Sequence, residues 1–182
     1  MTPRTRNTVA LVLILVLFAA PLVAALVLHA VGWEPPPSKN SGTLVEPPED
    51  LTHARFVLAN GTPLAWKDAQ WSWTLFAVPG PDCAQHCLDR LDELRRARLT
   101  LNRNAYRLRV VVLDAALPAD ALARLAPLER GTDPDGVFAA LRPAARDDVA
   151  AAVVDPHGFL VLRYPAGYDG RGLSKDLQRL MK

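Results

Sequence analysis

Twenty consecutive residues, Val9 to Leu28, carry neither a charge nor a strongly polar side chain. As a helix rising 1.5 Å per residue, the run is about 30 Å long, the thickness of a hydrocarbon core. Pro21 lies inside it, a kink that membrane helices tolerate. Arg4 and Arg6 precede the run, whereas the other flank opens with Glu34 and has one nearby base, Lys39. The length of the run predicts a single-pass helix over residues 9–31, and the positive-inside rule orients it. Residues 1–8 would be cytoplasmic and everything after the helix would lie outside, with Trp33 at the far interface. The rival is a cleaved signal peptide, for which Ala24, Ala25 and Ala30 supply small residues. Its apolar region would be about 7–15 residues, shorter than this one.

Residues 32–53 are rich in Pro, Ser, Gly and acid, including Pro35-Pro36-Pro37 and Pro47-Pro48. They read as an extended tether. Residues 54–182 are then one domain of ordinary size. A formal net charge of +2 gives no reason to invoke nucleic acid. Seven arginines fall between Arg90 and Arg109, but Asp92 and Glu93 lie among them and Asp89 just before, as on a solvated helix face.

Within the domain, Arg55 to Leu58 and Pro63 to Trp66 flank Asn60-Gly61, a hairpin signal. Ser72 to Val78 is a near-continuous apolar strand suited to the centre of a sheet. From Cys83 a helix carries Cys87, Leu88, Leu91 and Leu94 on one side. Tyr106 to Leu113 is the next strand and Pro118 to Leu128 the next helix, with Leu122, Leu125 and Leu128 inward. A short helix over 136–141 follows. Strands Val149–Val154 and Phe159–Tyr164 join through Asp155-Pro156-His157-Gly158, and Ser174 caps a closing helix to Leu180. A strand–helix–strand unit followed by a hairpin and a final helix is the thioredoxin arrangement. The fold class is α/β, thioredoxin-like, with a mixed central sheet.

Cys83 and Cys87 are the only cysteines. They follow the central strand and the turn Pro79-Gly80-Pro81-Asp82, where open α/β sheets place their chemistry. Asp82 and Gln85 have the spacing of a capping box, which makes Cys83 the first helical residue and puts Cys87 one turn on, on the same face. The open N–H groups of a helix start favour a thiolate. Such a pair can cycle between dithiol and disulfide, bind Cu(I) through soft sulfur, or form an inert staple. A bridge closing so small a loop adds little stability, which favours the functional readings. His86 could reach a metal from beside the pair, although its plainer role is a solvent-facing imidazole. His157, in a hairpin turn, is a second imidazole of the same kind. Asp147 and Asp148 are hard donors, poorly suited to Cu(I), and read as a solvated loop. Trp71 and Trp73 read as core, with one ring available to shield the thiols. No phosphate loop, serine triad or zinc cysteine pattern is present.

Taken together, the anchor, the Pro-rich tether, Trp73-Thr74-Leu75-Phe76, Pro81-Asp82-Cys83 with its C-x-x-x-C, Val112-Leu113-Asp114 and Val153-Val154-Asp155-Pro156-x-Gly158 make residues 52–182 resemble the Sco/SenC family. These are membrane-anchored thioredoxin-fold proteins that help assemble the copper centre of cytochrome c oxidase. The resemblance implies a bacterial inner-membrane protein with a periplasmic domain. It implies Cu(I) as the metal and the oxidase subunit carrying the copper site as partner. Cys83 and Cys87 would carry Cu(I) to that site or reduce its thiols.

Two departures accompany the resemblance. Ala84 and Leu88 stand where the family has Pro after its cysteines. The family's metal-binding His, about eight residues before the Asp-Pro-x-Gly turn, falls on Asp147. Either copper binding is lost with that histidine, or the third ligand moves to His86 or His157. Two other functions stay open: a general periplasmic thiol–disulfide oxidoreductase, and a non-redox interaction module with a structural disulfide.

Overall fold

The computed structural model describes residues 3–33 and 40–182. Expectations resting on Glu34, Pro35–Pro37 and Lys39 lie outside the described residues. The chain divides into two units, 1–39 and 40–182. The first contains helix α1 (Pro3–Ala30), with Pro21 inside it. Its stretch Val9–Ala30, 22 residues, is long and apolar enough to cross a membrane.

The second unit is built on a seven-stranded mixed sheet. In chain order its strands are β1 (Thr43–Asp50), β2 (Val57–Leu58), β3 (Trp73–Pro79), β4 (Leu108–Leu113), β5 (Glu129–Thr132), β6 (Val149–Val154) and β7 (Phe159–Tyr164). Across the sheet they run β1-β7-β6-β3-β4-β5-β2. β3 is central, parallel to β4 and antiparallel to β6. Burial on both faces explains its unbroken apolar run, Leu75 to Val78. The pleat sorts its side chains: Leu75 and Ala77 face one core, Phe76 and Val78 the other.

Helices α2 (Gln85–Leu99), α3 (Ala119–Leu125) and α4 (Gly170–Leu180) supply the first core through Cys87, Leu91, Leu94, Leu125, Leu173 and Leu177. The opposite core is aromatic. Phe56, Phe76 and Phe138 lie with ring centroids 4.6–5.7 Å apart, and Trp66 packs edge-on to Phe56 and Phe76.

Several local expectations are corrected. Part of the tether, Thr43–Asp50, is edge strand β1 on β7. Pro47-Pro48 is compatible with an edge, where a missing N–H leaves no ladder bond unmade. The register with β7 breaks between Leu44 and Glu49, around that pair. The expected hairpin turn forms at Asn60-Gly61, with Leu58 N–H on Thr62 O, but β2 also pairs with β5. α3 stops at Leu125 rather than Leu128, because Pro127 disfavours helix in the residue before it. The chain beyond becomes β5, an added strand with only Gly131 buried. α4 begins at Gly170, not at Ser174. Its cap is Asp169, whose carboxylate accepts from the N–H of Arg171 and Gly172.

Candidate functional site

Cys83 and Cys87 form a disulfide, their Cα atoms 5.1 Å apart. The bond lies beyond the C-terminal end of β3, at the start of α2. The two residues differ in access: Cys83 is half-buried and Cys87 is 0 % exposed, packed into the helix-side core with Leu91 and Leu94. A reagent from solvent meets Cys83 first.

The helix start differs from the local expectation. α2 begins at Gln85, and its N-cap residue, Ala84, offers no side-chain acceptor. Asp82 pairs with Arg146 instead, and the Gln85 amide donates to Asp89. The cap comes from sixty residues away. Asp147 accepts the backbone N–H of Ala84 at 2.8 Å, His86 at 3.0 Å and Cys87 at 2.9 Å. It satisfies three donors that a helix start otherwise leaves open.

The segment carrying Asp147 is held against the turn after β3. Gly80 N–H donates to Asp148 O at 2.9 Å and Asp82 N–H to Arg146 O at 3.0 Å. A Cβ at position 80 would run into the carbonyl oxygens of Ala145 and Arg146, so only glycine permits this approach. Asp147 and Asp148 are therefore not a solvated loop. Asp148 lies 3.6 Å from His86 Nε2 and 4.0 Å from Arg90 Nε. Arg90 in turn bonds Glu93 and the Tyr168 carbonyl and lies over the Tyr168 ring.

The N–H of Cys87, with those of His86 and Ala84 and the nearby His86 ring, holds the Asp147 carboxyl below the usual carboxylate value. A group with a depressed folded pKa contributes stability that is present above its unfolded pKa and lost as pH falls through the folded one. Asp147→Asn is therefore expected to be less stable than wild type at neutral pH, with the gap closing below about pH 4. Unfolding midpoints of both proteins across that range check this, and a gap independent of pH contradicts it.

The structure does not bring all the sequence candidates together. His86 is beside the pair, its side chain 61 % exposed and turned to Asp148. His157 is at the other end of the sheet. β6 pairs Val149 with Pro79 and Val154 with Thr74, so the turn holding His157 lies past the start of β3. The five-residue offset alone separates the two ends by about 17 Å. His157 lies tilted against Trp71, which is 49 % exposed rather than core, with ring centroids 5.2 Å apart. Trp73 opens β3 at that same far end, so neither ring shields the sulfurs. Asp147, at the position of the family's histidine by sequence count, does reach the helix start. Its place is as the resemblance implies, but its chemistry is not. Among the described residues, no group of three or more His, Cys, Asp or Glu is placed to hold a metal ion.

Solved structures share this architecture. Copper-bound ScoI of Arabidopsis thaliana is 15 % identical with a TM-score of 0.51, covering 76 % of this chain and 96 % of its own. Apo Sco1 of Thermus thermophilus is 19 % identical with a TM-score of 0.55, covering 78 % and 96 %. The bacterioferritin comigratory protein of Xanthomonas campestris, studied for alkyl peroxide reduction, is 10 % identical with a TM-score of 0.52, covering 78 % and 97 %. At these identities the likeness is one of fold. No curated protein sequence matches the chain. The family model described as "Transmembrane-like, thioredoxin-like, C-terminal domain" matches residues 73–182, from the first residue of β3 to the end of the chain. The chain belongs to that transmembrane-like, thioredoxin-like family.

Proposed function

We propose that this is a membrane-anchored thiol–disulfide exchange protein in which Cys83 and Cys87 cycle between disulfide and dithiol. The observation that carries the reading is the unequal access of the two bonded residues at the end of the central strand. In the dithiol, the Cys83 thiolate attacks one sulfur of a partner disulfide and expels the other as a thiolate. Cys87 then gives up its proton and attacks the Cys83 sulfur. The mixed disulfide breaks, releasing the partner's second thiolate, and two electrons have passed to the partner. The core contacts that enclose Cys87 hold it on the first turn of α2, with its Cα 5.1 Å from that of Cys83, where it can act as the resolving thiol.

Flanking charge supports an N-terminus in the cytoplasm and a domain in the periplasm. The resemblance to Sco/SenC proteins suggests the partner: the cytochrome c oxidase subunit carrying the copper site, with its cysteines as the disulfide to be reduced. The experiment mixes reduced full-length protein, in detergent, with a fragment of such a subunit oxidised at its copper-site cysteines. Reduction several-fold faster than that of an unrelated peptide disulfide is expected. Equal rates would leave a general oxidoreductase, and no reduction would remove the redox reading.

Copper carriage is the second reading, because reduction would free two soft sulfurs on residues whose Cα atoms are 5.1 Å apart. It ranks below exchange because Asp147 is a hard donor already engaged by three backbone N–H groups. Tight one-to-one Cu(I) binding by the reduced protein against a competing chelator, lost in both Cys→Ser variants, would reverse that order.

A further inference from the structure

An uncapped helix start stabilises a thiolate with its free N–H groups and its dipole. Stabilising the reduced form in this way makes a disulfide oxidising. Here the arrangement is the reverse. The N–H groups of Ala84, His86 and Cys87 already donate to Asp147, so a thiolate at Cys83 would find these donors taken and a carboxylate beside it. The surroundings offset that charge only in part. Arg146 is paired with Asp82 and Arg90 faces Asp148, while the His86 ring, 61 % exposed, lies near both Asp147 and Asp148. Asp147 cannot easily swing away, since residues 146 and 148 are bonded to the turn after β3 and Gly80 leaves no space between them.

We propose that Asp147 sets the direction of exchange: by occupying the backbone donors at the start of α2 with a fixed negative charge, it holds the Cys83–Cys87 pair at the reducing end of its range. This rests on the redox reading above and adds what fixes the direction of electron flow. The pair gives two electrons to a partner disulfide and is itself re-reduced by a protein dithiol, which leaves as a disulfide. Asp147 touches no reacting atom and acts as a positioning residue.

The test is an equilibrium one. Full-length protein in detergent is brought to equilibrium in dithiothreitol or glutathione redox buffers, and the dithiol fraction is read by mass after alkylation. Asp147→Asn removes the charge and keeps an acceptor. Asp147→Ser also removes the charge with a different, smaller side chain, so that a folding defect in the first variant does not leave the test without a reading. Each is expected to shift the equilibrium about tenfold toward the dithiol, a rise of about 30 mV for a two-electron couple. Wild-type equilibrium constants in both folded variants would overturn the proposal and leave Asp147 a cap alone. The tuning is read without any partner and the proposed function only with one, so either can fail without the other.

Discussion

Serine at Cys83 is expected to reduce exchange with a peptide disulfide to the uncatalysed background. The variant removes the sulfur of the half-buried residue and leaves Cys87, which is 0 % exposed, on the first turn of α2. Cys87→Ser should behave differently. Attack by Cys83 proceeds, resolution does not, and the partner remains attached as a mixed disulfide. The asymmetry separates an exchange pair from a structural staple, for which the two serine variants would be equivalent. Non-reducing electrophoresis with mass mapping checks it. Exchange retained by Cys83→Ser, or an adduct found on Cys87, contradicts the assignment.

Asp176→Ala is expected to destabilise the domain by about 3 kcal/mol, since each buried donor left without a partner costs about 1–3 kcal/mol. Asp176 is 1 % exposed. Its Oδ2 accepts the N–H of Ser41 at 2.7 Å, the N–H of Gly42 at 3.1 Å and the Tyr164 hydroxyl at 3.0 Å. One carboxylate thus binds the chain entering β1 to β7 and α4. Burial, then the adjacent Asp176 charge, pushes the Tyr164 hydroxyl far above its ordinary pKa, so it remains a donor at any working pH. At roughly 2–4 °C per kcal/mol, thermal unfolding should move down by about 10 °C. A shift below about 2 °C would mean that the segment at Ser41-Gly42 is not held by this residue.

What could be read in advance followed the apolar pattern. β3, β4 and β6 are mostly apolar and buried, β7 alternates with Leu160, Leu162 and Tyr164 inward, and the stripe Cys87, Leu91, Leu94 marked the inner face of α2. What could not be read depends on distant partners. β5 is Glu-Arg-Gly-Thr, with only Gly131 buried, and is a strand because β4 offers it a ladder. A Cβ at Gly131 would press on Val111 and on the carbonyl of Val57, so the glycine serves close strand approach rather than a turn. β1 lies on an edge and shows no alternation. The start of α2 is the sharpest case. A local Asp82/Gln85 box was plausible chemistry, but the β6 approach supplies Asp147, and one carboxylate there bonds three donors at once. The signal available in the sequence was positional: Asp147 lies eight residues before Asp155, where the resembling family has its metal-site histidine. The cysteines themselves were legible as a pair at a strand-to-helix turn, but their unequal burial was not.

The most direct test of the account is a thiol count. One equivalent of reduced full-length protein, in detergent, is mixed with a peptide disulfide, and thiols on both molecules are titrated over time alongside the Cys83→Ser/Cys87→Ser double variant. Two new peptide thiols are expected for each Cys83–Cys87 disulfide formed, and none from the double variant. Peptide thiols appearing equally with the double variant, or a wild-type pair that stays reduced while the peptide stays oxidised, would contradict it.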